Sequence, residues 1–319
     1  MKEPKSLLEA IRFFSDPDVC LDFMAHLRWP DAKPVCPTCG STEVRFISTR
    51  RLWECKTKHP RKQFSIKVGT IFEDSPIGLD KWLAAIWMIA NDKNGVSSYE
   101  LSRALDVTQK TAWFMLHRIR LAMRDESFDR FDGEVEADET YIGGKTKFMH
   151  KEKLNRIRGG APKAGVRGKT VVMGLLQRHE LKGGSRIRAK LVRTTTPSVL
   201  RGQIRQNVEP GAAVYTDSHP AYWGLDEFAH QAVDHAECYV RGRVHTNGLE
   251  NFWSLLKRAI RGTYVNVEPY HLIRYVDEQV FRYNNRGDVD GGRFRQLASS
   301  ITGKRLTYAK LIGATTTPA

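Results

Sequence analysis

The sequence predicts an α/β chain in which a mixed domain of strands and helices follows a small metal-stapled module and a pair of helices. Three observations predict it. Between Cys36 and His59 four potential metal ligands cluster among short strand- and turn-like runs. From Leu79 to Met123 apolar residues recur at helical spacing, as in LDKWLAAIWMIA. After DESFDRFDGE the period becomes strand-like in EVEADETYIGG, TVVMGLLQR and RIRAKLVRT; a helix-like PSVLRGQIRQNV then precedes a further strand, AAVYTDS. Strands interleaved with helical segments are the signature of an α/β domain.

These shifts of pattern divide the 319 residues into N-terminal helices and ribbon (1–75), a helical pair (76–130), a mixed α/β domain (131–286) and a C-terminal tail (287–319). With 41% apolar residues, seven Trp and fourteen Phe, real cores are expected. The formal net charge of +15 implies a polyanionic partner, because basic side chains displace counterions from a phosphate backbone. No apolar run is long enough to span a bilayer, and MKEPKSLLEA lacks the pattern of a signal peptide, so a cytosolic protein is expected. Five cysteines, three of them closely spaced, favour a metal site over a disulfide framework.

The opening SLLEAIRFFSDPDVCLDFMAHLRWPD reads as short amphipathic helices, with Asp16 or Asp18 as cap and Cys20 packed among apolar neighbours. CPTCG and WECKTKHPRKQFS then supply Cys36, Cys39, Cys55 and His59. Two residues between the first thiolates let both point at one ion, and a hairpin brings the second pair across, which suits a closed, tetrahedral structural zinc site. Arg50, Arg51, Lys56, Lys58, Arg61 and Lys62 surround it, as phosphate contacts or as a solvated face.

SSYELSRALDVTQKTAWFMLHRIRLAM reads as a helix from Ser98, a turn at LDV and a second helix opening at Thr108. That arrangement matches a helix-turn-helix, with an ordinary αα-hairpin of a helical core as the alternative. In the first reading Tyr99, Leu101, Ala104 and Leu105 face Ala112, Met115, Leu116 and Ile119. Gln109, Lys110, Trp113 and Arg118 are then left for a major groove.

Asp138 lies in one predicted strand and Asp217 ends another, each beside small or apolar residues. A carboxylate at a buried strand end is costly unless a cation or base compensates it. HTNGLENFWSLLKR adds Glu250 on a helix, with Lys257 seven residues on along the same face. Asp138, Asp217 and Glu250 together can form a cluster for two magnesium ions, since no single strand can surround an ion. Glu250 has a competing reading: Asn247 as N-cap places it where its side chain reaches back to the cap. Lys257 is either a phosphate-positioning cation or an exposed helix lysine. Nine basic residues against Glu152 between Lys145 and Lys169 read as a glycine-rich loop, a phosphate clamp or merely solvated. His219, His235 and His245 receive no role, and Tyr222 and Trp253 read as core or wall.

Taken together, ADETYIGGK, YTDSHPAY, HTNGLENFWSLLKRAIRGTY and RYVDEQVFRYNNR resemble the DDE transposases of bacterial insertion sequences, of the ISXO-like kind with an N-terminal zinc ribbon. The resemblance covers the chain from about Ser15 to Arg286. It implies an RNase H-like (retroviral-integrase-like) core, with Asp138 on the first strand, Asp217 on the fourth and Glu250 on a following helix. In such enzymes the acids bind Mg2+ or Mn2+, while the ribbon and helix-turn-helix read terminal inverted repeats. The implied partners are double-stranded DNA of the element ends and target, and further copies of the chain in an oligomer on DNA, at the bacterial nucleoid. Where many relatives close the zinc site with a second C-x2-C pair, this chain offers Cys55 and His59. Some relatives use a residue other than Glu as third member, which leaves Asn247 beside Glu250 as a candidate. The expected activity is strand cleavage at the element ends followed by strand transfer. Its rivals are an inactive zinc-ribbon and helix-turn-helix regulator, and a nuclease that cleaves without joining.

Overall fold

The computed structural model describes residues 4–127, 129–143, 168–179, 184–233 and 242–314. The chain divides into two compact units, residues 1–124 together with 288–319, and residues 125–287.

The first unit opens with α1 (Leu7–Phe13) and α2 (Pro17–Arg28). Asp16 caps α2 by accepting from the backbone N–H of Asp18, and Pro17 follows where its missing N–H costs nothing. Cys20 is fully buried and its thiol donates to the Phe14 carbonyl, so it packs as its neighbours suggest. β1 (Val44–Ile47), β2 (Leu52–Cys55) and β3 (Gln63–Phe64) form an antiparallel sheet in that order. Three helices follow: α3 (Leu79–Asn91), α4 (Ser98–Leu105) and α5 (Gln109–Ala122). A capping box between Ser97 and Glu100 starts α4; Asp106, in the left-handed region, ends it; and Thr108 caps α5 after a three-residue turn. Leu101 and Leu105 are buried with Ala112, Met115, Leu116 and Ile119 as the spacing requires. Tyr99 and Ala104 depart from the expectation: both are exposed, Tyr99 at 66%.

The segment after residue 287 is no tail. Residues Asp290–Ser299 form α9 and Tyr308–Leu311 form α10, both within the first unit. Phe294 packs against Phe14, Phe23 and Trp87 at ring-centroid distances of 5.7, 5.7 and 5.1 Å. Gly291 and Gly292 weaken the helical signal here, yet Phe294, Leu297, Ala298 and Ile301 repeat at helical spacing and are all buried.

The second unit is a five-stranded mixed sheet between helices. Its strands are β4 (Glu134–Ile142), β5 (Thr170–Gln177), β6 (Arg186–Val192), β7 (Ala213–Asp217) and β8 (Ala229–Val233), in the spatial order β6-β5-β4-β7-β8. β4, β5 and β6 pair antiparallel, whereas β7 runs parallel to both β4 and β8. Helix α6 (Pro197–Asn207) covers one face, burying Leu200 and Ile204 with Val135, Ala137, Met173 and Leu175. Helices α7 (Asn247–Ala259) and α8 (Leu272–Asn284) cover the other, where Leu249, Phe252, Trp253 and Leu256 meet Val172, Leu176 and Ile187. Period-two alternation in β4 therefore sends its odd positions to α6 and its even positions, including Asp138, toward α7. Among the described residues no helix is long and apolar enough to cross a membrane. The basic loop expected between Lys145 and Lys169 lies, up to residue 167, outside the described residues, as does His235.

Candidate active site and metal centre

The ribbon brings its four expected ligands together. One ligand atom from each of Cys36, Cys39, Cys55 and His59 lies within 4.8 Å of the others. Cys36 Sγ is 3.5 Å from His59 Nε2, and Cys39 Sγ is 3.6 Å from Cys55 Sγ. Those separations approach the edge of a tetrahedron with zinc–ligand bonds of about 2.0–2.3 Å. Burial would raise the Cys55 thiol, but hydrogen bonds from His59 and the Thr57 backbone outweigh it and draw it down to about 6. A soft thiolate-and-imidazole set of this kind fits a structural zinc ion. His59 Nδ1 lies 2.6 Å from the Pro60 carbonyl, which orients the ring with Nε2 inward.

In the second unit the parallel pairing of β4 with β7 sets Glu136 opposite Tyr215. Carried on by two residues, that register places Asp138 beside Asp217, on the same face of the sheet. Asp138 Oδ1 accepts from the Glu139 N–H and Oδ2 from the Trp253 indole N–H, both at 2.8 Å. Burial pushes the Asp138 carboxyl up to about 7, opposed by the Trp253 bond and reinforced by Glu139 and Asp217. Asp217 Oδ1 accepts from the His219 N–H at 3.1 Å. A carboxylate held this way, next to two further acids, would gain compensating positive charge from a divalent cation. Each of its oxygens keeps a lone pair beyond the bond described, so the donor chemistry fits.

Lys257, half-buried on α7, has its ammonium drawn down by burial and by Arg261 and Lys169, against the pull of Asp138. Lys257 and Asp138 therefore attract one another electrostatically. Glu250 is exposed on the same helix. Among the described residues the ribbon ligands are the one group of three or more His, Cys, Asp or Glu able to share an ion, so Asp138, Asp217 and Glu250 do not yet converge to that distance. The capping alternative for Glu250 does not hold. Thr246 is the N-cap, Asn247 is the first helical residue and Glu250 the fourth, one beyond the capping-box position.

Three neighbours of Asp138 were not legible as such in the sequence. Trp253 is a hydrogen-bond donor to Asp138 as well as core. Glu139, its carboxyl pushed up chiefly by burial and also by Asp217, accepts from the Tyr222 hydroxyl at 2.5 Å. Gly174, paired across from Asp138, leaves the space into which Trp253 fits: a Cβ there would stand 2.8 Å from both Trp253 and Leu249. A lone glycine in a strand was the available signal.

On the first unit, Lys110 is exposed, with its ammonium 4.8 Å from the Tyr308 ring, and Gln109 donates to Ser98 Oγ at 2.8 Å. Trp113 is half-buried, edge-on to His117. Arg118 contradicts its expected place in a groove. It is 5% exposed and donates to the carbonyls of Leu306, in the folded C-terminal segment, and of Ile71 and Glu73.

Residues 130–284 match the ISXO2-like transposase domain, from just before β4 to the last residue of α8. Residues 15–57 match the transposase zinc-ribbon domain, which spans the three cysteine ligands. The chain is similar to an uncharacterized protein in transposable element ISH50 of Halobacterium salinarum, 28% identical over 273 residues that cover 82% of this chain and 90% of the relative. It is also similar to an uncharacterized transposase-like protein of Haemophilus influenzae, 33% identical over 84 residues, 26% of this chain and 68% of the relative. Ribbon and sheet are thus matched separately and in the same order as the motifs that suggested them, and the chain belongs to the ISXO2-like transposase family of insertion-sequence elements.

Proposed function

We propose that this transposase binds the terminal inverted repeats of its element, cuts the DNA there and joins the freed end to target DNA, on an RNase H-like catalytic unit. The observation that carries the proposal is that two part-buried aspartates, Asp138 and Asp217, sit on neighbouring parallel strands and interact electrostatically, with Trp253 of the helix that bears Glu250 and Lys257 bonded to Asp138. The strand order, with three antiparallel strands followed by two parallel ones, supports the fold assignment.

Magnesium or manganese held by Asp138, Asp217 and Glu250 would activate the attacking oxygen and stabilise the leaving one. The chain's own residues do the rest. In cleavage a water oxygen bonds to phosphorus, the P–O3′ bond breaks, and the 3′-oxygen leaves as a hydroxyl. In joining, that 3′-hydroxyl bonds to a target phosphorus and displaces the target's own 3′-oxygen. Trp253 orients the Asp138 carboxylate throughout, and the Lys257 ammonium faces the phosphate. Catalysis by placement and electrostatics suits phosphoryl transfer, which needs no covalent protein intermediate.

For the third carboxylate Glu139 is a second candidate, favoured by its burial and its coupling to Asp217, against the exposure of Glu250. Helices α4 and α5 serve as the helix-turn-helix, with Gln109 and Lys110 at its presented end. Cleavage of duplexes carrying the DNA that flanks the coding region tests the reading. Asp138→Asn, Asp217→Asn and Glu250→Gln are expected to retain end-binding and thermal stability while losing Mg2+-dependent cleavage by roughly a thousandfold or more. Full activity in Glu250→Gln, with loss in Glu139→Gln, would transfer the third position to Glu139. Full activity in the Asp138 variant would remove the proposed chemistry.

A further inference from the structure

Beneath the N-terminus of α7 the sheet presents a carboxylate that the proposed chemistry does not use. Glu136 lies on β4 two residues before Asp138, and its side chain is 2% exposed. Its Oε2 accepts from the Leu249 N–H at 2.9 Å, while Oε1 accepts from Arg178 Nε at 2.8 Å. Leu249 is the third residue of α7, whose N–H an N-cap side chain normally satisfies. Thr246, the N-cap, makes no such bond. The cap therefore comes from the sheet, and it carries a negative charge where the helix dipole favours one.

The contact admits little slack. A Cβ on Gly248 would stand 2.9 Å from Glu136 Oε2 and from Leu176 Cδ1, so the glycine is what lets the helix end descend onto the carboxylate. Four residues further along α7, Trp253 bonds Asp138, two residues further along β4. Four residues of helix rise about 6.0 Å and two of strand about 6.6–6.8 Å, so the two bonds form matched rungs between helix and strand. Slippage by one helical turn would break both.

We infer that Glu136 is a positioning residue for the phosphoryl-transfer reaction: by capping α7 from β4 it sets where Glu250 and Lys257 stand relative to Asp138. Arg178 keeps this carboxylate in place while staying within 3.5 Å of Glu134, so it retains an acidic partner if Glu136 is replaced. The inference rests on the proposed role of Asp138 and its neighbours, and it adds that the strand carrying the first acid also fixes the helix carrying the third.

The test compares Glu136→Met, which keeps volume but has no acceptor, with Glu136→Gln, whose amide oxygen can still accept from Leu249, in the full-length chain. Element-end binding, thermal unfolding, single-turnover cleavage and the Mg2+ concentration for half-maximal rate are measured for each, with Asp138→Asn alongside. Misplacement by about 1 Å costs on the order of a hundredfold in rate. Glu136→Met should therefore bind ends normally, cleave roughly a hundredfold more slowly and need more Mg2+, and Glu136→Gln should recover to within several-fold of wild type. Wild-type cleavage by Glu136→Met overturns the inference. So does equal loss in both variants, or unfolding of both, since either marks a purely structural charge. Should Asp138→Asn cleave normally, the proposed chemistry fails first, whatever the Glu136 variants do.

Discussion

Asp138 shows how a single side chain can carry charge chemistry in an unfavourable place. Its position in a strand among small and apolar residues was legible from ADETYIGG, and so was that of Asp217 in YTDSHPAY. Their adjacency was not, because it depends on β4 pairing with β7, far away in sequence. Trp253 and Tyr222 read as wall because an aromatic side chain in an apolar stretch is ordinarily core; only the fold reveals where the indole N–H and the phenol point. The raised carboxyl of Asp138 makes a pH-dependent prediction. Its folded value, about 7, lies above the unfolded value near 4, so the neutral form contributes stability fully below about pH 4, and that contribution is lost as pH rises through 7. A bound divalent cation requires the ionised form and offsets the loss. Mg2+ should therefore raise the unfolding temperature of the second unit more at about pH 8 than at about pH 5, an effect absent from Asp138→Asn. Equal shifts at both pH values would separate Asp138 from the metal.

At the scale of elements, the ribbon was the most legible part, because C-x2-C and C-x3-H spacings constrain geometry directly. Short strands β1 to β3 bury little, so the fold of this module leans on its ion. Cys39→Ser should release one zinc per chain and unfold residues 30–65 while leaving the second unit's melting unchanged. Zinc content at wild-type level in that variant would contradict the assignment. The α4–α5 pair is a subtler case. Its helices and turn were legible from Ser98, LDV and Thr108, whereas the Ser97–Glu100 capping box was seen only in the fold, and Arg118 was misread as a groove residue, because helical periodicity cannot reveal carbonyls arriving from Ile71, Glu73 and Leu306. Lys110 and Arg118 of α5 should now separate. Lys110→Ala is expected to weaken DNA binding and shallow its salt dependence by about one counterion, with stability unchanged. Arg118→Met should instead destabilise the first unit by roughly 2–4 kcal/mol, since it leaves three buried carbonyls without their donor. An unchanged salt slope for Lys110→Ala would favour an ordinary αα-hairpin.

On the scale of the whole molecule, the chain crosses from its first unit to its second and returns, since residues 288–314 complete the unit that begins at the N-terminus. The return was illegible where Gly291 and Gly292 blurred the helix around Phe294. The net charge of +15 was legible at once and agrees with a protein that handles DNA, although charge alone names no reaction. What joins ribbon, helical pair and sheet into one account is the claim that Asp138 and Asp217 perform metal-dependent phosphoryl transfer on the DNA that the rest of the chain holds. The most direct measurement is strand cleavage and joining on a duplex taken from the flank of the coding region, with Mg2+, by wild type and Asp138→Asn at equal end occupancy. The account predicts cut and joined products for wild type alone, with the variant slower by roughly a thousandfold or more. Products formed by Asp138→Asn at the wild-type rate would contradict it.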